Sequence, residues 1–318
     1  MSYQGPQTHT FLYHAYALAL GGWVKDKNKN YLPIQGVAPS VLSIVGGYSS
    51  ASETNVNIGF ENKYPFGDGG PSDFHIYVGH AYTEVRGTDV YDDEHPFGIY
   101  QTTVRSVLDE VRINDVFTVE HAETVLRSTH RKPGDGDASE GDVTVGDSNI
   151  AGVRVDGRRV KVDKRNAVDR VTRFGELQPQ VSDQLRLMEF AGKAGDPTGD
   201  PWFTELCSWC NPSAVVPADD TDLDYARDIA MQNRDSRANF RYSIFKDVEL
   251  DAPGRDHPRG VKTFKSSIFV PEFGRIFLGE VIASHGTKRA TMFRLNLGCD
   301  NCGDVGGSGG STNGGPMP

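Results

Sequence analysis

The richest chemistry in this chain lies in its four cysteines, which form two C-x-x-C pairs, Cys207-Ser208-Trp209-Cys210 and Cys299-Asp300-Asn301-Cys302. A C-x-x-C turn lets two thiolates reach one tetrahedral metal, and two such turns complete a four-sulfur zinc site. The 88 residues between the pairs far exceed the separation within a compact zinc ribbon, so a shared site would act as a long-range staple. Disulfides, a dithiol redox role and unconnected thiols are the other readings of this spacing. A redox cysteine prefers a helix N-terminus, whereas Asn211-Pro212 marks a turn, which disfavours redox catalysis.

Three histidines form a second constellation. His14, His80 and His121 are each followed by Ala and then by Tyr or Glu. If these segments pair in register, the three imidazoles stand on one sheet face and can hold a metal with an open fourth position. The competing reading makes each histidine a hydrogen-bonded member of its strand. Acidic clusters at Asp135–Asp142, Asp89–Glu94 and Asp219–Asp224 offer carboxylate oxygens to calcium. None fits a calcium-loop template, because Glu140 stands where the first cluster needs glycine. Gly306-Gly307-Ser308-Gly309-Gly310 matches the G-x-S-x-G nucleophile pattern but lacks a helix to follow it. With no H-E-x-x-H and no phosphate-binding glycine loop, no catalytic residue is assigned and the chain reads as leaning away from enzymes.

The elements that must carry these residues read as β-strands. Gly and Pro, 36 and 17 residues, punctuate short apolar stretches. Val153 and Val155 alternate with polar residues before Asp156-Gly157, and Val160 and Val162 alternate after it, which predicts a hairpin with a two-residue turn. Ile268 and Val270, then Ile276 and Leu278, then Met292, Phe293, Leu295 and Leu297 predict three C-terminal strands. Phe11 to Leu20 reads as a strand with Ala15, Ala17 and Ala19 on one face. Thr102 to Ile113 is ambiguous, because Val104, Val107, Leu108 and Val111 fit helical spacing better than strand spacing. Ser182 and Thr221 are positioned to cap two short helices.

The fold expected is therefore mainly β, a β-sandwich or barrel-like arrangement of antiparallel sheets with a short helical excursion. Residues 1–162 form a β-rich region, 163–239 a mixed insertion with short helices, and 240–302 C-terminal strands completing the β domain. Residues 303–318 hold seven glycines and read as a flexible tail, because glycine pays the largest ordering entropy and brings no apolar area to bury.

At 318 residues, with 37% hydrophobic and 24% charged residues, the chain is long enough for a sizeable core and too polar for a helical membrane protein. Its net charge of -10 repels nucleic acid and anionic lipid. Phe11 to Leu20 is half the length of a bilayer span, and Met1 to Thr10 has no Lys or Arg, so neither a transmembrane segment nor a secretory signal is expected. The default compartment is cytoplasmic.

Phe269-Val-Pro-Glu-Phe-Gly-Arg-Ile-Phe-Leu-Gly-Glu-Val-Ile-Ala-Ser-His-Gly, with Ala290-Thr-Met-Phe-Arg-Leu-Asn-Leu-Gly298, resembles the closing strands of bacterial β-rich proteins of the choice-of-anchor type. His9-Thr-Phe-Leu-Tyr-His14 and Ser311-Thr-Asn-Gly-Gly-Pro-Met-Pro318 are also similar to such sequences. The resemblance implies a surface-associated β-sandwich with no catalytic residues to carry over.

The leading functional expectation is a non-enzymatic β-rich structural or interaction protein that self-assembles, its partner being itself in a homo-oligomer. A metal-dependent hydrolase using His14, His80 and His121 is the second. A carbohydrate-binding jelly roll with Trp23, Trp202, Trp209 and tyrosines as stacking platforms is the third. Zinc is the one cofactor the sequence points to, through Cys207, Cys210, Cys299 and Cys302.

Overall fold

The computed structural model describes residues 11–25, 30–66, 70–91, 98–131, 141–164, 240–251, 261–264, 266–271, 273–283, 288–297 and 303–316. Both C-x-x-C pairs, the helices expected after Ser182 and Thr221, and all of the 163–239 segment beyond Lys164 lie outside the described residues. Within them the chain is mainly β, with no helix.

The N-terminal strands are β1 (Phe11–Lys25), β2 (Tyr31–Val37), β3 (Ser40–Val41), β4 (Gly47–Phe66), β5 (Gly70–Val90), β6 (Ile99–Ile113) and β7 (Phe117–Arg131). Short strands follow: β8 (Asp142–Thr144), β9 (Asn149–Ala151), β10 (Arg154–Val155) and β11 (Arg158–Lys164). The C-terminal set comprises β12 (Phe240–Ser243), β13 (Phe245–Leu250), β14 (Lys262–Phe264), β15 (Ser267–Val270), β16 (Gly274–Ala283), β17 (Lys288–Leu297) and β18 (Gly303–Pro316).

These strands form two antiparallel sheets. The first runs β14-β15-β16-β17-β18-β1-β2, with β12 on β16 and β3 on β1. The second runs β13-β11-β10-β7-β6-β5-β4, with β8 and β9 on β7. Their inner faces share one core, in which Phe117 of the second sheet meets Phe293 of the first edge-to-face, ring centroids 5.1 Å apart. Such a pair contributes about 0.5–1.5 kcal/mol beyond its buried area. The buried face of β1 runs Phe11, Tyr13, Ala15, Ala17 and Ala19, so its middle brings only methyl groups to the core, while its longer His14, Tyr16 and Leu18 side chains face outward.

The expected hairpin is present. Asp156 and Gly157 both take positive φ, 50° and 75°, as the tight reversal between β10 and β11 requires. Val155 lies opposite Arg158, and the Val160 amide donates to the Val153 carbonyl at 2.9 Å. The three C-terminal strands β15, β16 and β17 also pair as expected.

One open reading is resolved and one expectation is corrected. The segment Thr102 to Ile113 is strand throughout, part of β6. The glycine-rich segment 303–318, expected as a flexible tail, instead supplies β18, an interior strand paired on one side with β1 and on the other with β17. Its glycines bring no apolar area themselves but give neighbouring side chains room. A side chain at Gly307 would occupy the space of the Phe293 ring, and one at Gly310 would meet Val104 of the opposite sheet. The burial that orders β18 therefore belongs to its neighbours.

A transverse crease crosses both sheets. In β6 the most deeply buried residues are Thr102, Val104, Ser106 and Leu108, then Val111 and Ile113, so the core-facing set changes from even to odd positions. The same change separates Val78 from Ala81 in β5 and Val119 from Ala122 in β7. The residues at the change form one row, Asn55, Gly79, Glu110 and Glu120, and the pairing resumes beyond it with no slip. Asn55 and Glu110 take φ of 54° and 57°. A left-handed residue turns two successive side chains to one face, and the neighbouring strands change phase at the same level, so the ladder stays intact. Gly79 sits beside Glu110 because an added Cβ would lie 2.9 Å from the Glu110 Cβ. In the first sheet the equivalent row is Gly279, Met292, Ser308 and Ala19, with Gly279 and Ser308 at φ of 64° and 52°.

Candidate functional site

The crease brings two of the three candidate histidines together. His80 of β5 and His121 of β7 both stand directly opposite Asp109 of β6, on the outer face of the second sheet. Asp109 Oδ1 meets His121 Nδ1 at 2.6 Å, and Asp109 Oδ2 meets His80 Nδ1 at 3.2 Å. Burial works to raise the Asp109 pKa, but the hydrogen bonds and charge of His121 and His80 outweigh it and hold the carboxyl below its ordinary value. Beyond the imidazoles, Ser52 Oγ lies 3.4 Å from His80 Nε2, and Glu123 Oε2 lies 3.6 Å from His121 Nε2. Glu123 also accepts from Arg105 Nε at 2.6 Å. The result is a polar chain, Ser52-His80-Asp109-His121-Glu123-Arg105, crossing β4 to β7.

His14 is not part of it. Its strand, β1, belongs to the other sheet, and the side chain points outward there. The His-Ala likeness marks an outward histidine beside an inward alanine, a local pattern that does not select a sheet. A three-histidine metal site is therefore not formed, and among the described residues no group of three His, Cys, Asp or Glu could hold a metal ion. Cys207, Cys210, Cys299 and Cys302 lie outside the described residues, as do Trp202 and Trp209. Of the acidic clusters, Asp89 accepts a hydrogen bond from the Tyr13 hydroxyl at 2.6 Å, a bond that together with burial raises the Tyr13 pKa.

The order Ser52-His80-Asp109 has the connectivity of a nucleophile, base and orienting carboxylate. Asp109 is divided between two imidazoles, which weakens its hold on either one. The His80 and Asp109 side chains are about two-fifths exposed, which further weakens any electrostatic stabilisation.

A second charged cluster, which sequence reasoning missed, lies on the outer face of the first sheet. Arg294 of β17 donates to both carboxylate oxygens of Glu280 on β16, at 2.9 and 3.0 Å. Its other terminal nitrogen is 3.5 Å from Asp304 of β18, and its guanidinium lies 4.6 Å from the Phe277 ring centroid. Glu280 is buried, with 8% of its side chain exposed. Burial raises the Asp304 pKa, with Arg294 opposing and Glu280 reinforcing the shift. The signal that finds this cluster is the register of β18, which is invisible while residues 303–318 are read as a tail.

Among the described residues no helix is long and apolar enough to cross a membrane. A family model described as Domain of unknown function (DUF8256) matches residues 11–193, more than half of the chain. No curated protein and no solved structure matches it.

Proposed function

The chain belongs to the DUF8256 family, and from that premise we propose a non-enzymatic structural or interaction role, exerted by strand addition to β4 and first of all by a second copy of this chain. One observation carries the reading: β4 is a 20-residue strand at the end of its sheet, paired among the described residues with β5 alone. Its other side presents backbone donors and acceptors that a further strand can satisfy.

The composition of this edge supports the same reading. Gly47 to Phe60 contains no Lys, Arg or Pro and a single charge, Glu53, so the side chains that usually block edge pairing are missing from this stretch. Glu53 is itself engaged, accepting from the Ala38 amide at 2.6 Å. Tyr48, Ser50, Ser52 and Thr54 are exposed.

Multi-angle light scattering across a concentration series tests the proposal. The unmodified protein is expected to form a concentration-dependent dimer. The pair Ser50→Lys and Thr54→Lys sets like charges against each other across the new junction, where each such contact costs about 0.2–1 kcal/mol, and is expected to return it to a monomer of unchanged circular dichroism. A monomer at every concentration, or a dimer indifferent to the lysines, refutes the β4 reading.

A further inference from the structure

A groove of about 340 Å³ crosses the outer face of the first sheet, and we infer that it is a binding site for a neutral oligosaccharide. It lies on the opposite sheet from β4 and stands independently of the strand-addition proposal.

The groove exists because of glycines. Gly306 and Gly309 of β18 and Gly21 of β1 line it, so the centre of the sheet is stripped to backbone level while its flanks keep their side chains. Tyr16 and Trp23 of β1 rise on one flank, and Trp23 is braced by Tyr31, ring centroids 4.7 Å apart. Glu280 of β16 and Arg294 of β17 stand on the other flank, and Asp304 stands on β18 itself, opposite Trp23. The volume lies at the lower end of the ~300–1,000 Å³ typical of small-ligand sites.

The chemistry selects the ligand. Among the described lining residues the charged groups are Glu280 and Asp304 against Arg289 and Arg294, two of each sign, which favours neither an anion nor a cation. Asp304 and Arg289 nonetheless offer a carboxylate acceptor and a guanidinium donor, and the mostly buried bidentate Arg294–Glu280 pair fixes one wall before any ligand arrives. A ring of hydroxyls uses both kinds of partner, and its C–H face packs on an aromatic side chain. A peptide strand is disfavoured here, because the backbone of β16, β17, β18 and β1 is already consumed in ladders.

Isothermal titration of the full chain with cellohexaose, laminarihexaose, xylohexaose and maltohexaose tests the site. At least one is expected to bind with one-to-one stoichiometry and a Kd of about 1 mM or tighter. Gly309→Val raises the floor at a position where an added Cβ finds its nearest neighbour at 3.5 Å, and Gly306→Val does so where the Cβ is equally free. Each variant is expected to keep the unmodified melting temperature and weaken binding about tenfold or more. The proposal is overturned if none of the four sugars binds, if both valine variants bind like the unmodified protein, or if a sulfated hexasaccharide binds more tightly than all four.

Discussion

Ser308 of β18 reaches across the core to the other sheet, its hydroxyl donating to the backbone carbonyl of Ser106 at 2.7 Å. The Thr124 hydroxyl in turn donates to the Ser308 carbonyl. Ser308 is fully buried and left-handed, at φ 52°, so these polar bonds hold the first sheet's crease against the middle strands β6 and β7.

Two substitutions at Ser308 separate the bond from the backbone. Ser308→Ala loses the hydrogen bond and keeps the unfavourable φ, and is expected to destabilise by about 1–3 kcal/mol. Ser308→Gly loses the same bond but relaxes the left-handed strain, about 1–2 kcal/mol for a residue with a Cβ, and is expected to be the milder change. Urea unfolding of both variants measures the order. Glycine as damaging as alanine would remove backbone strain from the account of the crease.

Asp109 predicts an acid limb in the stability profile. Its folded pKa is depressed below the ordinary Asp value of about 3.9. The stabilisation is therefore fully present above that value and is lost as pH falls through the folded pKa. Asp109→Asn should flatten this part of the melting-temperature curve below about pH 4, while an unchanged curve would mean the His80–Asp109–His121 contacts contribute nothing.

Asp304 carries the opposite sign. Burial raises its folded pKa, so folding binds the proton more tightly than the unfolded chain does, and its contribution is present at low pH and lost as pH rises through the raised value. Asp304→Asn is expected to raise the melting temperature at pH 7 and to leave it nearly unchanged in acid. A fall at pH 7 would show that the Arg294 contact, at 3.5 Å, outweighs the desolvation of the carboxylate.

Ser52 has the partners of a nucleophile, and on the proposed non-enzymatic reading it does not act as one. Incubation with a fluorophosphonate probe is expected to leave it unlabelled, with intact-mass spectrometry as the readout. Stoichiometric labelling that disappears in Ser52→Ala would overturn the non-enzymatic reading.

Much of the β architecture could be read from alternation, as in Val153 to Val162, where the Asp156-Gly157 turn and the flanking valines agree. The crease explains where alternation misleads. A strand whose buried face changes parity at Glu110 places Val104, Leu108 and Val111 at spacings of four and three, which is the signature of a helix. Asp109 was within reach: Asn114-Asp115 is a turn signal, and reflecting His121 through that turn lands on Asp109. Glu280, Arg294 and Asp304 were not, because their meeting depends on β18. Composition describes what a glycine segment can bury for itself and says nothing of the rings and alanines that neighbouring strands bring to it.

The position of β18 also sets the order in which the molecule can be made. Phe11 pairs with Pro316 and Val24 with Gly303, so one long margin of β1 stays vacant until residues 303–316 have been made. Contacts this distant along the chain close slowly. Until the glycine ribbon emerges, the nascent polypeptide carries an unpaired strand edge open to other chains.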